Sequence, residues 1–203
     1  MTLRPLLGIA GGTFDPIHYG HLAAARAAQA ALALDRVRFI PSARPPHRPD
    51  SPGASGYHRL EMVRLAVAKT PGWEVSELEL AREGPSYTYD TLTTIGGEGL
   101  SPLQIFFITG ADAFAEVATW YRYPEIFNLA NFVVIARPGT ALGSLRARLP
   151  EDTARDNVIL LEADTPDISA TDIRSRIARG ESINGLVPPA VAAYIQKNSL
   201  YGA

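Results

Sequence analysis

Two histidines three residues apart, His18 and His21, follow the glycine-rich stretch Gly11–Gly12–Thr13–Phe14. The apolar run 6–10 predicts a buried strand before the glycines, and the alanine-rich segment 19–34 predicts a helix after the first histidine. Glycines let a ligand approach the backbone, and a helix N-terminus attracts phosphate through its free N–H groups. Two imidazoles on one face of that helix start can donate hydrogen bonds to transferring oxygens. The arrangement therefore indicates phosphoryl or nucleotidyl transfer.

Other interpretations of this stretch have less support. The two histidines could lie by chance in an ordinary strand–turn–helix, or they could bind zinc. The metalloprotease pattern needs His–Glu–x–x–His at four-residue spacing, whereas here the spacing is three and no glutamate is present. The dinucleotide fingerprint Gly–x–Gly–x–x–Gly is also absent, because the glycine after Gly12 is Gly20. The pattern favours a transferase over a metalloprotease or a dehydrogenase.

A second segment that could bind an anion reads Ile168–Ser169–Ala170–Thr171–Asp172–Ile173–Arg174. Ser169 or Thr171 can cap the helix predicted over 170–178, and Arg174 lies about one turn inside it. Two hydroxyls, free helix N–H groups and an arginine form a compact anion cradle. An ordinary helix cap with a surface arginine is the alternative.

The loop after the predicted strand 37–40 is rich in proline and contains Ser42, Arg44, His47 and Arg48. Proline restricts the backbone, and the arginine fork matches phosphate or carboxylate. A solvated surface loop is the alternative interpretation.

Two more segments carry candidate side chains. Gly110 and Asp112 follow the apolar strand 103–109, where a carboxylate can accept from a ribose hydroxyl, help hold a metal or cap the next helix. Trp120 can stack on a flat ring, and free N–H groups of a helix predicted to be capped by Ser86 can receive a carboxylate. From these residues alone, burial of the aromatic side chains in the core is the stronger interpretation of the second segment.

Composition excludes several classes of protein. The 203 residues include 19 basic and 21 acidic side chains, for a net charge of −2, so no nucleic acid is expected as a partner. The chain has no cysteine and therefore no disulfide or thiolate metal site. No apolar run approaches the ~18–20 residues that span a bilayer, and residues 1–7 lack a signal-peptide pattern. We expect no membrane contact and a cytoplasmic location.

The order of elements indicates the fold class. Strands that are apolar throughout alternate with helices, which is typical of a parallel sheet covered on both faces. We expect an α/β fold: a Rossmann-like, doubly wound, mostly parallel sheet in one domain over 1–203, with a small C-terminal helical part over 165–203. Ligands bind such sheets at the carboxyl ends of the strands, where the segments above lie. Further elements are predicted as strands over 73–80, 132–136 and 158–161 and helices over 57–69, 86–95, 114–121, 124–129 and 189–197.

Together these segments resemble the signatures of the HxGH nucleotidyltransferases. Residues 12–21 have the order Gly–x–Phe–x–Pro–x–His–x–Gly–His, and residues 168–174 are similar to the second signature, Ile–Ser–x–Thr–x–Ile–Arg. Within that superfamily the chain resembles the bacterial nicotinate-mononucleotide adenylyltransferases over essentially its whole length. The residues that carry this finer resemblance are Pro45–Pro46–His47–Arg48, Ser86–Tyr87–Thr88, Gly110–Ala111–Asp112, Trp120–Tyr121, Ala136–Arg137–Pro138–Gly139 and Leu200–Tyr201.

The resemblance implies a reaction and a set of site residues. The phosphate of nicotinate mononucleotide would attack the α-phosphorus of ATP, with Mg²⁺ held mainly by the ATP phosphates, to give deamido-NAD and pyrophosphate. His18 and His21 would be catalytic. The residues implied to bind ATP are Gly11, Gly12, Thr13, Phe14, His18, His21, Gly110, Asp112, Arg137, Ile168, Ser169, Thr171 and Arg174. Those implied to bind nicotinate mononucleotide are Thr13, Phe14, Ser42, His47, Arg48, Thr88, Tyr89, Trp120 and Tyr121.

Several alternatives stay open. Relatives often have an asparagine where this chain has Ser42–Ala43, which leaves open what that side chain contacts. A sister enzyme acting on nicotinamide mononucleotide or pantetheine phosphate, a cytidylyltransferase, or a non-catalytic nucleotide-binding regulator would share the signatures. An aminoacyl-tRNA synthetase shares the histidine motif, but this chain is short for one and lacks a Lys–Met–Ser–Lys–Ser loop. The chain is expected to be a monomer or a homodimer.

Overall fold

The computed structural model describes residues 5–46, 53–138 and 157–203. Within these ranges the chain forms a parallel sheet of six strands in the order β3–β2–β1–β4–β5–β6. The strands are β1 Leu7–Gly12, β2 Arg36–Pro41, β3 Trp73–Val75, β4 Ile105–Gly110, β5 Asn131–Ala136 and β6 Val158–Glu162. The α-helices are α1 Tyr19–Leu32, α2 Gly56–Val67, α3 Thr88–Gly96, α4 Ala111–Phe114, α5 Ala170–Ala178 and α6 Pro189–Lys197.

The sheet is buried on both faces because its central strands carry apolar side chains on both sides. In β5, Phe132 and Val134 belong to one core cluster, while Val133 and Ile135 belong to the other. This alternation follows from the two-residue period of a strand. Helices α1, α2, α5 and α6 contribute to the cluster of Val133 and Ile135, here called the first core cluster. Helix α3 and the segments around Phe114 and Phe127 contribute to the cluster of Phe132 and Val134, here called the second core cluster. The predicted Rossmann-like α/β fold is therefore confirmed.

The strand order reverses between β1 and β4. From β1 the chain proceeds outward through β2 and β3, and it then returns to β4 on the other side of β1 before reaching β5 and β6. The residues that follow these two central strands diverge in opposite directions and leave a crevice at their carboxyl ends. The first histidine follows β1, and Asp112 follows β4, so the topology brings both segments to this crevice.

Two predicted boundaries around β3 were wrong. The strand predicted over 73–80 ends at Val75, because Ser76 donates its last sheet bond to Phe39 and its hydroxyl then accepts from the N–H of Leu78, which turns the chain. Ser86 does not cap α3, which begins at Thr88 after Tyr87. The Ser86 hydroxyl instead accepts from the backbone N–H groups of the loop after β2.

The segment between β4 and β5 is less regular than predicted. The helix predicted over 114–121 is replaced by α4 and a 3-10 turn at Val117–Thr119, and the helix predicted over 124–129 is a 3-10 turn at Glu125–Asn128. Arg122 has a φ of 58°, a left-handed conformation that interrupts helical geometry between the two turns. Within this irregular segment Trp120 is half-buried and Tyr121 is exposed.

The C-terminal helices have the predicted bounds, 170–178 and 189–197. The first ends before Gly180, whose φ of 70° is the left-handed conformation that glycine adopts most readily after a helix. Leu200 then returns to the first core cluster and places the next residue, Tyr201, beside the loop after β1. No helix in the described ranges is both long and apolar enough to cross a bilayer.

Candidate functional site

Two cavities flank the carboxyl end of β1. The first, here called the histidine cavity, has a volume of about 400 Å³ and is lined by His18, Gly20, His21, Ala24, Gly110, Ala111, Asp112, Ile135, Arg137, Thr165, Pro166 and Ile168. The second, here called the tryptophan cavity, has a volume of about 170 Å³ and is lined by Gly11, Gly12, Thr13, Ser42, Pro45, Pro46, Glu79, Ser86, Thr88, Phe107, Thr109 and Trp120. Their positions correspond to the two halves of the crevice between β1 and β4.

The two histidines are stacked, with ring centroids 3.7 Å apart and ring planes inclined by 28°. The backbone N–H of His18 donates to Nδ1 of His21 over 3.3 Å, and Phe14 packs against the same ring edge-on at 5.1 Å. Because Nδ1 of His21 accepts a hydrogen bond, a neutral ring carries its hydrogen on Nε2. The local chain therefore sets both the orientation and the donor atom of His21.

His18 is the more buried of the pair, with 6% of its surface exposed. Burial lowers its pKa from 6.5 to about 4, so the ring is neutral near pH 7. Its Nδ1 is buried without a hydrogen-bond partner among the described residues, and that edge faces Gly20. A Cβ at Gly20 would lie 3.0 Å from Cε1 and Nδ1 of His18, so a side chain there would displace this ring by a few tenths of an ångström.

The two signatures meet through Arg174. Its Nη1 donates to the carbonyl oxygen of Asp15 over 2.7 Å, and its Nη2 donates to Oγ1 of Thr171 over 3.2 Å. The carboxylate of Asp15, which is 3% exposed, lies 3.7 Å from the guanidinium and accepts from the hydroxyl of Tyr201 over 2.7 Å. Burial, followed by the Asp15 contact, raises the pKa of the Tyr201 hydroxyl, which therefore stays a hydrogen-bond donor.

The start of α5 points its free N–H groups beside the histidine cavity, whose lining includes Ile168. The hydroxyl of Ser169 caps this helix by accepting from the N–H of Thr171 over 3.2 Å, and both residues are exposed. Arg137, which lines the cavity, forms an exposed ion pair with Asp167 at 2.6 Å. The helix start thus offers donors and positive charge, which suits an anion.

The tryptophan cavity contains a buried hydroxyl, that of Ser42. Ser42 is 7% exposed, and its Oγ is buried without a hydrogen-bond partner among the described residues. Trp120 borders the same cavity and packs edge-on against Phe107, with centroids 6.0 Å apart. A flat ring against the indole, with a polar group near the serine, would fill this cavity well.

Not every predicted site residue lies where it was expected. Gly11 and Gly12, predicted on the ATP side, line the tryptophan cavity instead. The Phe14 side chain is buried in the core, so only its backbone can meet a ligand. Tyr121 stacks on Tyr87 at 4.4 Å and meets Tyr89 edge-on at 6.1 Å, outside the lining of both cavities. His47 and Arg48 lie outside the described residues.

One functional residue that the sequence reasoning missed is Arg59, which is 1% exposed. Its Nη1 donates to the carbonyls of Thr13 and Ser42, each over 2.7 Å, and its Nε donates to that of Ala54 over 3.2 Å. Burial lowers its pKa, which the charge of Asp15 opposes. The sequence did contain a signal for this residue. Arg59 lies on the apolar face of α2, one turn before Val63, where a charged side chain is unexpected.

The structure also bears on metal binding. In the described part of the chain, no group of three histidine, cysteine, aspartate or glutamate side chains could hold a metal ion. Asp112 is a carboxylate in the lining of the histidine cavity. Among the described residues that line this cavity, Asp112 is the carboxylate available to a divalent ion, whose other ligands would come from substrate and water.

The fold, the paired signatures and the position of the cavities define a nucleotidyltransferase site. In agreement, the model of the cytidylyltransferase-like family matches residues 9–176, so the chain belongs to that family.

Within it, the chain is 46% identical to a probable nicotinate-nucleotide adenylyltransferase of Roseiflexus sp. (strain RS-1), over 96% of this chain and 97% of the relative. It is 47% identical to the protein of that name in Thermus thermophilus, over 96% and 98% of the two chains. Among solved structures, it is similar to Plasmodium falciparum nicotinic acid mononucleotide adenylyltransferase complexed with NaAD, with a TM-score of 0.78, 19% identity and 98% of each chain covered. At that identity the last comparison supports the fold.

Proposed function

We propose that the chain is an adenylyltransferase of NAD biosynthesis, which joins ATP and nicotinate mononucleotide to give deamido-NAD and pyrophosphate. The observation that carries the proposal is the pair of cavities beside β1. One contains the stacked histidines, and the other is lined by the half-buried Trp120 and by a Ser42 hydroxyl that has no hydrogen-bond partner among the described residues. Curated relatives with more than 40% identity over nearly the whole chain have this activity in their names.

ATP occupies the histidine cavity in this proposal. Its phosphates lie between the two imidazoles and the start of α5, where Ser169, Thr171 and Arg174 supply hydroxyl, N–H and guanidinium donors. Its ribose lies at Gly110 and Asp112, which begin α4 and border the same space. Arg137 and Ile168 complete the adenosine side of the cavity.

Nicotinate mononucleotide occupies the tryptophan cavity. The pyridine ring stacks on Trp120, and its carboxylate faces the free N–H groups at the start of α3, at Thr88 and Tyr89. The Ser42 hydroxyl gains a partner on the ligand. Backbone groups of Thr13, Phe14 and Tyr121 lie beside the mononucleotide. The glycines of β1 leave room for the two substrates to approach each other. We also include His47 and Arg48, from the loop after β2, among the residues proposed to bind nicotinate mononucleotide.

The chemistry follows from these positions. An oxygen of the mononucleotide phosphate forms a bond to the α-phosphorus of ATP, and the bond from that phosphorus to the bridging oxygen breaks to release pyrophosphate. The attacking group is already an anion, so the site needs no strong base. The neutral ring of His18 and the ring of His21 donate hydrogen bonds to oxygens that gain charge, and Arg174 contributes a fixed positive charge.

We propose that the reaction uses Mg²⁺, which would be bound mainly by the ATP phosphates. When bound, it neutralises charge on the phosphate oxygens during transfer. Mg²⁺ loses its water reluctantly and needs few protein ligands, so the single carboxylate of Asp112 suits a hydrated ion. We further propose that the reaction takes place in the cytoplasm, where ATP is available, and that the chain acts as a monomer or homodimer.

A substrate panel tests the function. ATP and CTP are each combined with nicotinate mononucleotide, nicotinamide mononucleotide and phosphopantetheine, and pyrophosphate release is measured with Mg²⁺ and again with EDTA. We expect the fastest release from ATP with nicotinate mononucleotide, and its loss in EDTA. A preference for another pair would identify a sister enzyme. ATP binding without turnover on any acceptor would identify a non-catalytic regulator instead.

A further inference from the structure

Glu79 is a buried carboxylate at the edge of the tryptophan cavity. It is 7% exposed and lies in the turn after β3, outside both signatures. Burial raises its pKa, while hydrogen bonds from Thr91 and Ser86 and the charge of Arg82 oppose the rise. Removing a carboxylate from water is costly unless it is well hydrogen-bonded. The contacts of Glu79 therefore indicate what its burial achieves.

The first contact leads to the loop after β2. The Ser86 hydroxyl accepts from the N–H of Ala43 over 2.8 Å and from the N–H of Arg44 over 3.2 Å. Ser86 and Glu79 line the same cavity, and the Ser86 hydroxyl is close enough to the carboxyl to oppose the rise of its pKa. The hydroxyl uses its two lone pairs on the loop and keeps its hydrogen for the glutamate, so Ser86 connects the loop that carries Ser42 to Glu79.

The second contact leads to α3. The Thr91 hydroxyl donates to Oε1 of Glu79 over 2.7 Å and accepts from Nη2 of Arg82 over 3.4 Å. Thr91 lies in the first turns of the helix whose start, at Thr88, borders the tryptophan cavity. The same guanidinium reaches the carbonyl of Tyr87 at 3.5 Å. Glu79 therefore also fixes the helix start to which the proposed function assigns the pyridine carboxylate.

We propose that Glu79 is a positioning residue for nicotinate mononucleotide, because its carboxylate holds the loop of Ser42 and the start of α3 at one distance across the cavity. This inference rests on the proposed function. Glu79 makes no contact with the histidine cavity, so its effect is confined to the binding of the pyridine substrate. Oε1 of Glu79 accepts from the Thr91 hydroxyl, so the N–H groups at the helix start are left for the carboxylate of the ligand.

The test compares Glu79→Gln and Ser86→Ala with the wild-type chain. Glutamine keeps the volume but loses the charge and one acceptor oxygen, and a hydrogen bond to a charged group is about twice as strong as one to a neutral group. Glu77→Gln is the matched control, since Glu77 is two residues away on the same turn with 64% of its side chain exposed. Measured quantities are KM for each substrate, kcat and Tm.

We expect KM for nicotinate mononucleotide to rise about tenfold in both variants, with KM for ATP and kcat within about twofold of wild type. The double variant should be no worse than the worse single variant, because one chain of contacts is broken in each case. The control should match the wild type. If Glu79→Gln does not fold, Ser86→Ala, which removes a single oxygen, carries the test.

Two results would overturn the inference. One is an unchanged KM for the mononucleotide in folded variants. The other is an equal loss for both substrates, which would show a general structural role. These results differ from failure of the proposed function, in which the wild-type chain itself forms no deamido-NAD and the inference falls with it.

Discussion

The stacked histidine pair and the tryptophan cavity are built in different ways. The stacked histidines lie within four residues of one another, and neighbouring backbone and Phe14 orient them. The tryptophan cavity gathers residues from five separate segments, and the buried charged residues Arg59 and Glu79 connect several of them. We infer that the chemical step depends on a local motif, while the choice of acceptor depends on long-range contacts. Changes in the two cavities should therefore affect different kinetic constants.

The largest effect is expected from the histidines. Removing one charge-stabilising donor costs on the order of 10²–10³ in kcat, so His18→Ala and His21→Ala should each lose at least that much at saturating substrate. KM for nicotinate mononucleotide should change little, because neither ring lines the tryptophan cavity. His58→Ala is the control, since His58 contacts Tyr194 away from both cavities. Near-normal turnover in both folded variants would refute the catalytic assignment.

Titration of His18 should appear in stability. Its pKa is 6.5 when unfolded and about 4 when folded, so between these values the unfolded chain binds more protons. The free energy of unfolding is therefore unaffected by the titration of His18 above pH 6.5. It falls as the pH drops from 6.5 towards 4, by an amount on the order of 3 kcal/mol. Denaturant unfolding at several pH values should show that the free energy of unfolding of the wild type falls over this range. In His18→Asn the fall should be smaller by about this amount. Parallel pH profiles for the two chains would contradict the burial argument.

The same division decides how much the sequence could predict. The histidine site was visible because its residues are adjacent and its strand–glycine–helix context is local. The role of Ser86 was mispredicted, because a serine before a helix usually caps it, whereas here it bonds to Ala43 and Arg44 across 43 and 42 residues of chain. The strand over 73–80 was overextended, because its pattern does not show where pairing with β2 stops. Contacts distant in sequence leave no local pattern.

A moderate effect is expected from Trp120. Stacking of a ring on an aromatic side chain is worth about 1–3 kcal/mol, so Trp120→Ala should raise KM for nicotinate mononucleotide by about five- to 150-fold. KM for ATP should stay near the wild-type value. Trp73→Phe is a control for general loss of indole, since Trp73 packs against Phe39 in the core away from the cavity. Equal increases for both substrates would show that the two cavities are not separable in this way.

The smallest effect is expected from Ser42→Ala, for which Tm and KM should respond differently. Its buried hydroxyl has no partner among the described residues, so removing it relieves a cost in the free protein. Ser42→Ala should therefore keep or slightly raise Tm, yet raise KM for nicotinate mononucleotide about three- to fivefold, because one hydrogen bond to the ligand is lost. Ser86→Ala is the contrast, since its hydroxyl is fully bonded and its loss should lower Tm. Thermal unfolding and initial rates on the two variants measure both quantities. A lower Tm with unchanged KM in Ser42→Ala would show that this hydroxyl serves the fold and that the ligand does not meet it.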